Sequence, residues 1–461
     1  MRYDDNKIVN FPGIEGMGDM GIGNMGIDVS ALIDDRVEDG VFRVDRSVYL
    51  DERLYEAEIE RIFEKGWVFL CHESQLPHPD SFFTTYIGRQ PVFVNRRKEG
   101  GYRAFINACS HRAALLTPCR EGRARVLTCR FHGWAYASDG RCIKIKNEDT
   151  GFPDEGFDRE QFNLRNVAQV DEYRGFVFGC LDEDAGTLAD HLGESRPFID
   201  LFVDQSPDGL EVLRGSQTYV CDHNWKLQAE NVPDGYHVST VHRNFMTTVL
   251  AREDRDGLSG LSKTETGRMK DNVKNGSYDL GYGHMLIWAD RSSPEAAPLF
   301  PATEQIEKAF PAAKAHWMLR RGRNLFVFPN LVLNDLAATH MRCHRPLSAN
   351  KVEVTIWCIA PRGEPAQART ARLRKFEDFF LVTGMATSDD VISLDVAQAG
   401  SYGRAARWNE FARGLSTIQP GADEEARALG VNPVHSNSSW DFESAYIGFY
   451  RTWRDILNGA A

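Results

Sequence analysis

The chain has 461 residues, 42% of them hydrophobic and 26% charged, and a formal net charge of −12 at pH 7. This composition describes a globular protein with room for two or three ordinary domains, and its acidity argues against general nucleic-acid binding. No apolar run approaches the roughly 18 residues that span a bilayer, and Met1 to Ser30 form no signal-peptide pattern. Nine cysteines in a chain this long do not suggest a disulfide scaffold. A cytoplasmic protein with no nucleic-acid and no membrane partner is the expectation.

Residues 14–27 are rich in Gly and Met, too costly in backbone entropy for a regular element, and read as a flexible arm. Asp51 is placed to cap a helix in which Tyr55, Ile59, Ile62 and Phe63 keep helical spacing, with Lys65-Gly66 as its stop. From Trp67 to about Cys180 the pattern changes to short β-branched and aromatic runs split by turn residues. Within that stretch Arg103, Arg112, Arg120, Arg123, Arg125, Arg130, Arg141, Lys144 and Lys146 stand against only Glu121 and Asp139. Such an excess is either a solvated face or a docking surface for an acidic partner. Past Ser206, Leu325–Phe328, Leu331–Leu333 and Val352–Ile359 read as strands. Pro365 opens a helix carrying Leu373, Phe376 and Phe380, closed near Gly384, and Ser388 is placed to cap the next.

Two motifs carry chemistry. The first is Cys109-Ser-His111 followed, after seventeen residues, by Cys129-Arg-Phe-His132. Each half supplies one thiolate and one imidazole, whereas a zinc finger pairs cysteines in one loop and histidines in the other. Mixed pairing suits a Rieske 2Fe–2S cluster, in which one iron takes two cysteines and the other two histidines; adventitious zinc is the alternative. The other cysteines, Cys119 among them, read as small packing residues.

The second motif runs Asn231-Val-Pro-Asp234-Gly-Tyr-His237-Val-Ser-Thr-Val-His242. Asp234 and His237, three apart, share a helix face. His237 and His242, five apart, would diverge by roughly 140° on an ideal helix, so they meet at one ion only if the helix ends or bulges between them. Two histidines and one carboxylate with open positions make a non-haem iron(II) oxygenase site. Either Asp389 or Asp390, at a helix start, can supply the carboxylate. The plain alternative makes all four ordinary polar residues at helix ends.

Taken together, these motifs resemble the large (α) subunit of Rieske non-haem iron aromatic-ring-hydroxylating oxygenases, and within them the benzoate, toluate and anthranilate 1,2-dioxygenase branch. The likeness extends over Thr84-Thr-Tyr-Ile-Gly-Arg-Gln-Pro91, Gly209-Leu-Glu-Val-Leu-Arg-Gly215 and Gly384-Met-Ala-Thr387 with the following Asp pair. It implies that Cys109, His111, Cys129 and His132 hold the cluster, and that His237, His242 and Asp390 hold mononuclear Fe(II). Asp234 falls on the family's bridging acid, which links an iron histidine to a Rieske histidine of a neighbouring subunit, and Asn231 joins it among the catalytic residues. The implied fold is α+β: an all-β Rieske domain inserted before a larger catalytic domain, an antiparallel sheet flanked by helices of the helix-grip type. The expected boundaries are 1–48 for an N-terminal arm, 49–180 for the Rieske domain and 181–461 for the catalytic domain.

The implied activity is hydroxylation of an aromatic ring by O₂, most simply cis-dihydroxylation of a benzoate-like substrate. Electrons would come from NAD(P)H through a separate reductase or ferredoxin, and a small β subunit would complete an α3β3 hexamer. A monooxygenase acting on salicylate or an aryl ether, a Rieske electron carrier and a structural zinc protein are the other readings. Two departures stand out: the Gly/Met-rich arm has no counterpart, and Ala113 replaces the usual Gly after Cys-Ser-His-Arg. Ala113 is expected to add no more than a methyl group. Phe380, Met385 and His284 are the guesses for pocket-lining residues.

Overall fold

The structure, a computed structural model, describes residues 26–152, 156–256, 273–336 and 338–459. Most of the Gly/Met-rich stretch, up to residue 25, lies outside the described residues. The chain divides into two compact units, one containing Ile59–Leu188 and the other Ile27–Glu58 with Ala189–Ala461. Among the described residues no helix is long and apolar enough to cross a membrane.

The smaller unit is built from antiparallel strands. One sheet orders Tyr102–Ile106, Gln90–Arg96, Ser81–Ile87 and Glu121–Arg123; a second orders Cys142–Lys144, Ala135–Ala137 and Val126–Thr128. A third pairs Gln169–Tyr173, Phe176–Cys180 and Val68–His72. Alternation puts Phe82, Phe93, Phe105, Leu127, Trp134 and Tyr136 into one core with Cys109 and Cys129. Cys119 packs at the edge of that core, as expected of a small apolar residue.

The larger unit is organised by a ten-stranded antiparallel sheet whose longest strand, Lys351–Pro361, pairs with His340–Ser348 on one side. On its other side it pairs with Leu210–Val212 and Gln217–Cys221. Register places His340, Arg342 and His344 opposite Cys358, Ile356 and Val354, so these residues share one sheet face. Ile356 and Cys358 pack there with Phe376 and Phe380 from helix Ala366–Phe379 and the turn after it.

Helix Glu52–Glu58 is anchored in the larger unit by one buried charge. Glu58 takes Lys226 Nζ at 2.5 Å and the indole N–H groups of Trp225 and Trp453, each at 2.7 Å. Three donors satisfy the carboxylate, and this is what makes its burial tolerable. The next turn, Ile59–Glu64, is π-helical and leads toward the expected stop at Lys65-Gly66.

Candidate active site

Helix Trp225–Glu230 starts at Asn224, whose side chain accepts from the Lys226 N–H, and ends just before the second motif. Asp234 then turns the chain: its Oδ1 accepts from the backbone N–H of Tyr236 at 2.8 Å and of His237 at 3.2 Å. Gly235 is required here, because a Cβ would lie 2.6 Å from the Trp440 ring. A single helical turn, Val238–Val241, follows, with His237 at its start and His242 at its end, before a new helix at Arg243. The break explains how two histidines five apart converge. Their Nε2 atoms are 3.3 Å apart.

Asp390 completes the group from the first turn of helix Thr387–Ser401, with Oδ1 at 3.4 Å from both Nε2 atoms. Ser388 does not cap this helix: Ala386 precedes its first residue, and the Ser388 hydroxyl donates back to the Gly384 carbonyl. The peptide N–H groups of Asp389 and Asp390 both reach Ala386 O. That geometry turns Asp390 inward and leaves Asp389 lining a surface groove with Thr240 and Asn244.

Three donors in a nearly equilateral triangle suit one face of an octahedral ion, since cis donors about 2.1 Å from a metal lie about 3 Å apart. Among the described residues, this is the one group of three or more His, Cys, Asp or Glu whose ligand atoms all fall within 4.8 Å. The electrostatics favour a cation. Burial pushes the Asp390 carboxyl up to about 6, against the opposing pull of the His237 and Arg342 charges and the Asn231 amide. Burial, then the neighbouring His237, drives His242 down to about 3. A buried carboxyl facing a neutral imidazole lacks the positive charge that a divalent ion supplies.

Asp234 spends its second oxygen on His237: Oδ2 is 3.1 Å from Nδ1, close but bent from the line of the N–H. Burial opposes charge on both groups, yet their mutual attraction lowers Asp234 and raises His237. The Asp234 side chain remains 31% exposed, beside the exposed Tyr236.

In the smaller unit the first motif forms two matching loops. Ala113 N–H reaches Cys109 O, and Gly133 N–H reaches Cys129 O, each at 2.9 Å. Cys109 N–H and Cys129 N–H return to the carbonyls of Ala114 and Trp134. Both loops need a left-handed residue, Gly133 at φ 77° and Ala113 at φ 54°. Ala113 is therefore more than an added methyl, because an L side chain is strained in that conformation.

Both thiols are buried, whereas His111 is exposed and His132 half-buried, their rings 4.5 Å apart. His111 stacks on Trp134, and His132 keeps a buried Nδ1 without a partner. Burial raises the Cys109 thiol, the Tyr136 hydroxyl at 3.2 Å opposes it, and Cys129 alongside adds to the rise. Two buried thiols behind two imidazoles at the surface fit a cluster of two differently ligated irons. Around them Arg112, Arg130, Lys144 and Lys146 are exposed along with Phe131, Val126 and Ile143. Arg120 instead lies over Phe83, and Arg123 is tied to Pro79 O.

His284 is fully buried. Its two ring nitrogens are taken by Phe328 N–H and His191 O, a structural role that sequence could not foresee. Phe380 lies against His340 with ring centroids 3.9 Å apart and the planes tilted by 48°, and Met385 packs beside Phe245 and Ala386. Sequence reading missed Phe379, whose ring meets His242 at 5.2 Å, and a polar row of the half-buried Tyr219 with the buried His340, Arg342 and His344. Alternating polar residues in His340–His344 were the one available signal.

Residues 66–168 match the Rieske [2Fe-2S] domain, and residues 210–459 match the catalytic domain of the ring-hydroxylating alpha subunit. The chain is 41% identical to toluate 1,2-dioxygenase subunit alpha of Pseudomonas putida, over 94% of this chain and 95% of that one. It is 40% identical to the 2-halobenzoate 1,2-dioxygenase large subunit of Burkholderia cepacia, over 91% and 90%. It is likewise 40% identical to the anthranilate 1,2-dioxygenase large subunit of Acinetobacter baylyi, over 94% and 93%. Its fold matches a solved naphthalene 1,2-dioxygenase with indole bound, at a TM-score of 0.79, 25% identity and 95% coverage of both chains. The chain belongs to the family of Rieske ring-hydroxylating oxygenase large subunits, whose members carry a 2Fe–2S cluster in one domain and a mononuclear iron in the other.

Proposed function

We propose that this terminal oxygenase dihydroxylates the ring of a benzoate-like aromatic carboxylate. Cys109 and Cys129 hold one iron of the Rieske cluster, and His111 and His132 hold the other. His237, His242 and Asp390 would hold iron(II). When bound, the cluster supplies single electrons and the iron(II) activates O₂ toward the arene. The observation that carries the reading is the 3.3–3.4 Å triangle of His237, His242 and Asp390, the three-point donor set such an iron requires. The substrate class rests on the three relatives near 40% identity, each named for an aromatic carboxylate.

The chain's own residues set the geometry. Asp234 fixes the His237 ring, and Asn231 stands beside the Asp390 carboxylate. Phe379 closes the apolar side of His242. The partly exposed Asp234 would link His237 to a neighbouring subunit's Rieske histidine, in an α3β3 assembly with a small β subunit. The exposed basic surface around His111 receives an acidic reductase or ferredoxin in the cytoplasm.

Benzoate and ¹⁸O₂ supplied to the reconstituted system test this reading. A cis-diol carboxylate carrying two labelled oxygens is expected. One labelled oxygen in a phenol would make the enzyme a monooxygenase, and turnover of toluene or naphthalene equal to benzoate would remove the carboxylate from the account.

A further inference from the structure

On the sheet face that carries Ile356 and Cys358, three buried polar side chains and the half-buried Tyr219 have buried functional atoms that meet no partner. Arg342 is 5% exposed, His340 0% and His344 1%. Arg342 Nε, His340 Nε2, both ring nitrogens of His344 and the Tyr219 hydroxyl are buried without a hydrogen bond. Among the described residues no ion pair or hydrogen bond engages the Arg342 guanidinium. Buried polar groups are normally satisfied, and an isolated buried cation is the costliest exception. A row of them on one face marks a place meant to be filled.

The place lies beside the candidate iron. The Arg342 charge acts on Asp390, His237 and Tyr219. Asp390 is the nearby acid, but its Oδ1 already faces the two histidines. Burial first, then Arg342, holds His340 and His344 well below the ordinary imidazole range, and His340 donates its Nδ1–H to the Ala338 carbonyl. Arg342 is also lowered by burial, but a guanidinium keeps its proton. The flank is aromatic: Phe380 lies tilted against His340, and Phe379 meets His242 edge to face. The arrangement is an aromatic flank with one cation and a phenol at its polar end.

We propose that Arg342, with the Tyr219 hydroxyl as a hydrogen-bond donor, is the anion subsite that takes the substrate's carboxylate and so directs its ring toward His237, His242 and Asp390. This rests on the aromatic-carboxylate reading above and names the residues behind it. A forked guanidinium matches a carboxylate in shape and charge, and burial strengthens the match.

The test compares benzoate with benzamide, its neutral counterpart of nearly equal size, by equilibrium binding to the oxidised holoenzyme without turnover. Wild type is expected to prefer benzoate. Arg342→Gln should weaken benzoate roughly 100-fold while changing benzamide little, with iron content and Rieske spectrum unchanged. Tyr219→Phe, a milder change, should weaken benzoate about tenfold. A preference for benzoate that survives in both Arg342→Gln and Tyr219→Phe would overturn the subsite and leave the carboxylate reading standing. A wild type that shows no preference for benzoate over benzamide would overturn both. If Arg342→Gln does not fold, a benzoate preference unchanged by Tyr219→Phe and Arg342→Lys refutes the proposal on its own.

Discussion

Ala113 holds a backbone angle of φ 54° in a loop whose twin uses Gly133 at φ 77°. The left-handed region costs an L residue about 1–2 kcal/mol, so Ala113→Gly should stabilise the smaller unit by about 1 kcal/mol and leave the Rieske spectrum unchanged. Thermal bleaching of that spectrum measures it; an unchanged or lower midpoint would mean that the alanine is accommodated without strain. Asp234 is the other residue whose role one substitution isolates. Asn retains Oδ1 for the Tyr236 and His237 N–H groups but loses the charge beside His237 Nδ1. Asp234→Asn should keep its fold, spectrum and most of its iron, while electron transfer out of the reduced cluster falls at least 10- to 100-fold. Reoxidation at the wild-type rate by O₂ with substrate bound would reduce Asp234 to a helix-end acid.

At the level of elements, legibility followed distance along the chain. The Cys-x-His and Cys-x-x-His loops, the 231–242 stretch and the Asp389-Asp390 helix start were readable because each is local. Convergence of His237 and His242 required the helix to break, a condition stated from spacing alone and met at His242. Choosing between Asp389 and Asp390 needed the inward turn of one helix, which propensity does not encode. Tyr219, Arg342 and Phe379 could not be found this way, because register and helix packing bring them to the site from remote segments.

Glu230, at the end of helix Trp225–Glu230, was equally silent. It accepts hydrogen bonds from Tyr49 and Tyr450, and burial pushes it up to about 7 against them. The folded state thus holds the proton more tightly than the unfolded chain, whose carboxyl titrates near 4.5. That stability is complete below the unfolded value and is lost as pH rises through the folded one. Glu230→Gln keeps an acceptor and cannot ionise, so its Tm should gain on wild type by a few degrees between about pH 5 and about pH 8. Parallel Tm curves would contradict this.

At the scale of the whole chain, two units carry two separate ligand sets: Cys109, His111, Cys129 and His132 in one, His237, His242 and Asp390 in the other. No residue is shared, so each centre should be removable without the other. Iron analysis with visible and EPR spectra on wild type, Cys129→Ala, Asp390→Ala and Asp389→Ala tests this most directly. Wild type should hold about three irons per chain, two in the cluster and one mononuclear. Cys129→Ala should lose the Rieske signal and keep about one iron, and Asp390→Ala should keep the signal and about two. Asp389→Ala should resemble wild type. Equal iron loss in the two Asp variants, or loss of the Rieske signal in Asp390→Ala, would contradict the account.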